Sequence, residues 1–132
     1  MILADTNVWV DMLKRDPQWM EWSVQQLMAA KAAKKLAINA VIFAEMTPMF
    51  ESLDDHRSFI QSSAARMMPL SDEAAWLAGR AYAAYKTNEG KKTGVVADFF
   101  IGAQAEAEGW QLLTRDKGRY KTYFPKIKLI CP

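Results

Sequence analysis

Short apolar runs along this chain alternate with longer segments in which apolar residues recur at helical spacing. Residues 1–4 (Met-Ile-Leu-Ala) are continuously apolar, the pattern of a strand buried on both faces. Asp5-Thr6-Asn7 are turn and N-cap types, and residues 8–13 then take up helical spacing. Pro17 breaks it. Trp19, Trp22, Leu27 and Met28 mark an amphipathic helix running into residues 30–33. Leu36–Ile38 reads as a second strand, and Asn39 as the cap of a helix carrying Ile42, Glu45 and Met46. Pro48 should end or kink that helix, because it lacks the N–H for the preceding turn. Asp54-Asp55 open a further helix through Ala65, and residues 67–70 suggest a third strand. Ser71-Asp72-Glu73 has the cap and early acids of a helix reaching about Lys86. Residues 88–94 are a polar loop with Gly and Lys. Val96–Glu108 is a small-residue helix capped by Gly109, followed by strands at 110–114 and 127–130. Strands alternating with helices predict an α/β fold with a largely parallel sheet.

Length and composition narrow the function classes. A chain of 132 residues, half of them hydrophobic, fits one domain with one core, residues 1–132. No segment approaches the ~20 consecutive apolar residues of a membrane span. The N-terminus reads as a core strand rather than a secretory signal. The single Cys131 excludes an intrachain disulfide framework and fits a reducing cytoplasm. With one His and one Cys there is no His/Cys zinc cluster. Neither a Gly-rich dinucleotide turn nor a P-loop is present.

Four acids change the picture. Asp5, Glu45, Asp98 and Asp116 each sit at the edge of an apolar run, where the charged form loses water. Ligands in open α/β sheets bind beyond the carboxyl ends of the strands. Asp5 follows the first strand and Asp116 the fourth. Glu45 lies in the helix after the second, and Asp98 in the first turn of a helix, at its positive end. All four can converge on one sheet edge. Carboxylates gathered without a cation repel one another, and Mg²⁺ or Mn²⁺ removes the conflict. Such an ion polarises a phosphoryl oxygen and acidifies water, the chemistry of phosphodiester cleavage. Thr6, Asn7 and Thr114 are placed to orient ligands or waters from behind the acids.

Taken singly, each acid has an ordinary structural explanation: Asp98 as a helix N-terminal acid, Asp116 as part of a turn with Lys117-Gly118. Asp11, Asp54, Asp55, Glu106 and Glu108 read as solvated helix faces, and His56 as a surface residue. The Trp and Met residues read as core and interface. The functional case rests on the set of four.

The set also resembles a known family. Asp-Thr-Asn-Val-Trp-Val-Asp at 5–11, Ala44-Glu45, Ala97-Asp98-Phe99-Phe100-Ile101-Gly102-Ala103, Leu113-Thr114-Arg115-Asp116 and Tyr123-Phe124-Pro125 follow the order of the PIN-domain ribonucleases. The likeness is particularly to VapC-like toxins of bacterial toxin–antitoxin pairs, and it covers essentially the whole chain. It implies a PIN-like (Rossmann-like) three-layer α/β/α sandwich and a Mg²⁺- or Mn²⁺-dependent endoribonuclease. Asp5, Glu45, Asp98 and Asp116 would be its metal-binding acids. It also implies a homodimer and a cognate antitoxin. Pro48 departs from the family's commonly uninterrupted helix after the glutamate.

The basic residues favour an RNA substrate. Residues 110–132 carry Arg115, Lys117, Arg119, Lys121, Lys126 and Lys128 against the single acid Asp116, and Lys91 and Lys92 precede Asp98. Phosphate backbones need such charges beside an acidic site. Arg115, Lys117, Lys91 and Lys92 are the expected RNA contacts. A non-catalytic PIN-like RNA-binding or scaffold domain is the alternative, although such domains typically lose an acid. A metal-dependent phosphatase would need a second Asp where Asn7 stands. The apolar face of Trp19, Trp22, Leu27 and Met28, with the helix after Pro48, is a candidate groove for an antitoxin helix.

Overall fold

The computed structural model describes residues 1–88 and 95–132. Strands β1 (Ile2–Ala4), β2 (Leu36–Ile38), β3 (Arg66–Met67), β4 (Gln111–Leu113) and β5 (Lys128–Ile130) form one sheet in the order β3-β2-β1-β4-β5. Every pairing is parallel; Leu3 lies between Ala37 of β2 and Leu112 of β4. Parallel strands are covered on both faces, which is why β1 and β2 are uninterrupted apolar triplets. Leu3, Ala4, Ala37, Ile38, Leu112 and Leu113 are fully buried.

Helices α1 (Thr6–Leu13), α2 (Met20–Ala32), α3 (Ala40–Met46), α4 (Leu53–Ser63), α5 (Asp72–Asn88), α6 (Val96–Glu108) and α7 (Gly118–Tyr123) complete a three-layer α/β/α sandwich. The chain winds outward from β1 to β2 to β3, then returns to β4 on the other side of β1. The winding therefore reverses between β1 and β4, the place where such sheets open a crevice beyond their carboxyl ends.

Local chemistry accounts for most boundaries. Asn39 caps α3 by accepting from the Ile42 N–H at 2.8 Å. Its amide also donates to Gln104, which in turn donates to the Pro69 carbonyl, so this wholly buried pair ties α3 and α6 to the end of β3. Pro48 acts as expected: α3 stops at Met46 and a 3₁₀ turn, Thr47–Met49, follows. Gly109, at φ 69°, closes α6. At Gly102 a Cβ would stand 2.5 Å from the Phe124 ring and 2.9 Å from the Tyr120 ring. Only glycine lets α7 and the residue after it pack this closely on α6.

Four expectations are corrected. The third strand is shorter than residues 67–70, because its ladder ends with Met68 N–H donating to Ile38 and Pro69 has no N–H to continue it. Helix α7 falls in a segment where the pattern suggested none. His56 is buried, its ring stacked between Phe43 (centroids 3.6 Å) and Phe50 (4.3 Å). Its charged neighbours Asp54, Asp55 and Arg57 face solvent, while His56 and Ile60, one turn apart, face inward. Burial lowers the His56 pKa and keeps the ring neutral. Asp11 is also buried rather than solvated, for a reason found in its partners.

Candidate active site

Helix α1 begins directly at the carboxyl end of β1, so its N-cap, Asp5, stands over the crevice. One Asp5 oxygen, Oδ1, accepts from the Thr6 N–H at 2.7 Å. The other, Oδ2, accepts from the Thr114 hydroxyl at 2.7 Å, the Asn7 amide at 3.1 Å and the Tyr120 hydroxyl at 3.1 Å. Thr114 directly follows β4. Its hydroxyl donates to Asp5 and accepts from the Asn7 amide and the Asp116 N–H, filling its hydrogen-bonding capacity. Asn7 Oδ1 accepts from the Arg115 N–H. The residues expected behind the acids, Asn7 and Thr114, thus lock one oxygen of Asp5 and join the ends of β1 and β4.

A recess of about 310 Å³ opens here, lined by Asp5, Thr6, Asn7, Val10, Glu45, Asp98, Arg115 and Asp116. It gathers all four sequence-singled acids at the switch point. Glu45 reaches in from α3 and accepts from the Thr6 hydroxyl at 2.6 Å. Asp98 stands in the first turn of α6 and pairs with Arg119 through Nη1 and Oδ2 at 2.5 Å. Asp116 is exposed at the rim.

The electrostatics are those of crowded anions. Asp5 is 4% exposed and its donors are all neutral. Burial pushes its pKa up to about 6, against the Thr114 hydrogen bond and with help from the Asp98 charge. Asp98 is raised as well, chiefly by burial, opposed by Arg119 and reinforced by Asp116. Burial and the nearby acids raise Tyr120 far enough to keep its phenol protonated as a donor. As they stand, no three acidic, histidine or cysteine side chains among the described residues are poised to hold one metal ion. Glu45 is turned to Thr6 and Asp98 to Arg119. The donor set is nevertheless all oxygen, suited to Mg²⁺ or Mn²⁺ rather than to a thiolate- or imidazole-seeking ion.

Arg115 is not the free cation the sequence suggested. Its guanidinium grips Asp11 at 2.7 and 2.8 Å and lies over the Trp19 ring at 5.3 Å. Asp11 also accepts from the Ser23 hydroxyl at 2.7 Å and is 2% exposed. The arginine therefore fastens the β4 loop to α1 and α2. Lys117 is exposed and follows Asp116 in the chain, but it does not line the recess. Lys91 and Lys92 lie outside the described residues.

Sequence reasoning missed Tyr120 and the pairing of Arg119, both on α7. The signal was there: Gly118 followed by Tyr120, Tyr123 and Phe124 at helical spacing, with Gly102 to receive them.

A family model described as PIN domain matches residues 2–125. The chain belongs to the PIN domain family. Among curated proteins no sequence matches it. Solved structures share the fold. A chain of VapBC2 from Rickettsia felis, bound to a DNA fragment from its promoter, is 20% identical at a TM-score of 0.73; the match covers 100% of this chain and 99% of that one. FitAcB from Neisseria gonorrhoeae is 23% identical at 0.68, over 98% and 96%. DNA-bound VapBC from Salmonella typhimurium is 16% identical at 0.71, also over 98% and 96%.

Proposed function

We propose that this PIN domain is a metal-dependent endoribonuclease and the toxin of a toxin–antitoxin pair. One observation carries the reading. Four carboxylates from separate segments line one recess at the switch point, and the most buried of them, Asp5, has no cationic partner among the described residues. Membership of the PIN family and the VapBC-like fold add support.

Asp5, Glu45, Asp98 and Asp116 would hold Mg²⁺ or Mn²⁺. The ion supplies polarisation of a phosphoryl oxygen and acidification of water when bound. The chain's own residues do the rest. Thr114, Asn7 and Tyr120 fix Asp5 Oδ2, and Oδ1 accepts only the Thr6 N–H among the described residues, so Asp5 would keep an oxygen free enough to help hold the ion. Glu45, on a helix and exposed, can exchange its Thr6 hydroxyl for the ion or a water. Lys117 is exposed and next in sequence to Asp116 of the recess, where it would attract the strand's phosphates.

Two readings are less well supported. A phosphatase with Asp5 as nucleophile would place its acid–base at position 7, where Asn7 instead donates to Asp5. A scaffold domain gives no reason to keep four acids in one recess. A cognate antitoxin and a homodimer belong to the same reading. An apolar groove of about 190 Å³ lies between α1, α2 and α4, lined by Leu27, Met28, Trp9 and Phe59 among others, and would take an apolar side chain of an antitoxin helix. Trp19 and Trp22 do not line it, so that part of the expected groove is revised.

The test is cleavage of single-stranded RNA with Mg²⁺, with Mn²⁺ and with chelator. Asp5→Asn or Asp98→Asn should lower cleavage by more than about 100-fold, beyond the upper end for losing a supporting partner of a ligand. Full activity in chelator, or an active Asp5→Asn protein, would refute the proposal.

A further inference from the structure

Two arginines meet aspartates around this recess, and they are held very differently. Arg115 makes a two-pronged contact with a 2%-exposed carboxylate and is stacked on Trp19. Arg119 touches Asp98 through a single nitrogen, and both side chains keep solvent access at the recess mouth, 21% and 31% exposed. The first arrangement immobilises a cation. The second holds its guanidinium by one contact, with no ring stacked on it among the described residues, so a competing cation has a single bond to replace.

The contested atom is Asp98 Oδ2. An oxygen that accepts a guanidinium N–H is not available in the same geometry to a metal ion. Burial and the neighbouring Asp116 work against the Asp98 charge, and Arg119 offsets them. A divalent ion among four carboxylates supplies more charge than one arginine and makes that role redundant. Arg119 would then be a free cation tethered beside the site. Its backbone cannot drift away, because Tyr120 next to it is buried against Gly102 and hydrogen-bonded to Asp5. A planar guanidinium suits a phosphate.

We propose that Arg119 is a resident counter-cation which a divalent ion displaces from Asp98, and that the released guanidinium binds a phosphate of the RNA strand. Metal loading and RNA grip are thereby coupled through one side chain. This rests on the nuclease reading above and adds to it the device that links its two ligands.

The test uses the whole protein, Mn²⁺ alone, and a fluorescein-labelled oligouridylate with phosphorothioate linkages. If Arg119 competes with the ion, Arg119→Gln should bind Mn²⁺ about two- to five-fold more tightly by calorimetry, the factor for removing a partly exposed ion pair. A merely structural arginine predicts the opposite sign, because Asp98 would lose its support. For RNA, the logarithmic salt slope of wild type in Mn²⁺ should exceed that of Arg119→Gln by about 0.7, one single-strand phosphate contact. In chelator the two slopes should coincide, since Arg119 is then on Asp98. Arg119→Lys should keep the wild-type slope in Mn²⁺. Arg119→Met retains the apolar stem and makes the same comparison if the glutamine variant unfolds. Equal or weaker Mn²⁺ binding by the variants, or a slope difference that persists in chelator, would overturn the coupling. If the wild type itself binds neither Mn²⁺ nor the oligonucleotide, the nuclease reading fails first and takes the coupling with it.

Discussion

Helix α1 carries a buried aspartate at its start, Asp5, and another near its end, Asp11, 4% and 2% exposed. Asp11 is neutralised within the chain by a two-pronged arginine and a serine hydroxyl. Asp5 receives only neutral donors and faces another carboxylate. The comparison separates two uses of a buried acid. Where the chain supplies the cation, the acid is a fastening, here joining α1, α2 and the β4 loop. Where the described residues supply none, the charge needs a cation from solution or the group is protonated. Asp98 stands between them, with a cation that is present but joined through a single nitrogen.

At neutral pH the comparison predicts a loss of stability on the Asp11 side. Asp11→Ala strands Arg115 and removes the Ser23 contact. Breaking a fully buried pair costs about 3–5 kcal/mol. Arg115 is 29% exposed, so solvent screening reduces this to about 2–3 kcal/mol. Urea denaturation should show that loss, and an unchanged midpoint would mean Asp11 is no fastening.

The opposite behaviour is expected at Asp5, through pH. Its folded pKa of about 6 lies above the ordinary 3.8. The folded state therefore holds this proton more tightly, and the resulting stabilisation is complete below about pH 3.8. It is lost as pH rises through about 6, in total on the order of 3 kcal/mol. Without divalent ions, the wild type should lose stability relative to Asp5→Asn between pH 4 and 7, and Mn²⁺ should restore it at pH 7. Parallel pH profiles for the two proteins would remove the distinction between the acids.

Gly102→Ala sharpens the comparison at smaller cost. The added methyl meets the Tyr120 and Phe124 rings, an overpacking worth about 1–3 kcal/mol. It should shift α7, which serves Asp5 and Asp98 but not Asp11. RNA cleavage should consequently fall more than the change in melting temperature accounts for. Loss of stability with full activity in the folded fraction would show that α7 does not position the acids.

Much of this was legible in the sequence, unevenly. The apolar triplets of β1 and β2, the Asn39 cap, the break at Pro48 and the extent of α6 follow from local rules. So does the gathering of Asp5, Glu45, Asp98 and Asp116, because each follows or faces a strand end. What local rules missed was long-range partnering. Asp11 looks like a helix-surface acid until Arg115, 104 residues later, is found against it. His56 looks charged-in-company until Phe43 and Phe50 close on it. Helix α7 has six residues and is held by packing on Gly102, so its own propensity announces little.

The most direct test is Mn²⁺ binding to wild type, Asp5→Asn and Asp11→Asn, followed by the electron paramagnetic resonance signal of the free ion. Wild type and Asp11→Asn should bind the ion with similar affinity, while Asp5→Asn should lose it. Equal binding by Asp5→Asn and wild type would contradict the claim that Asp5 takes its counter-charge from solution.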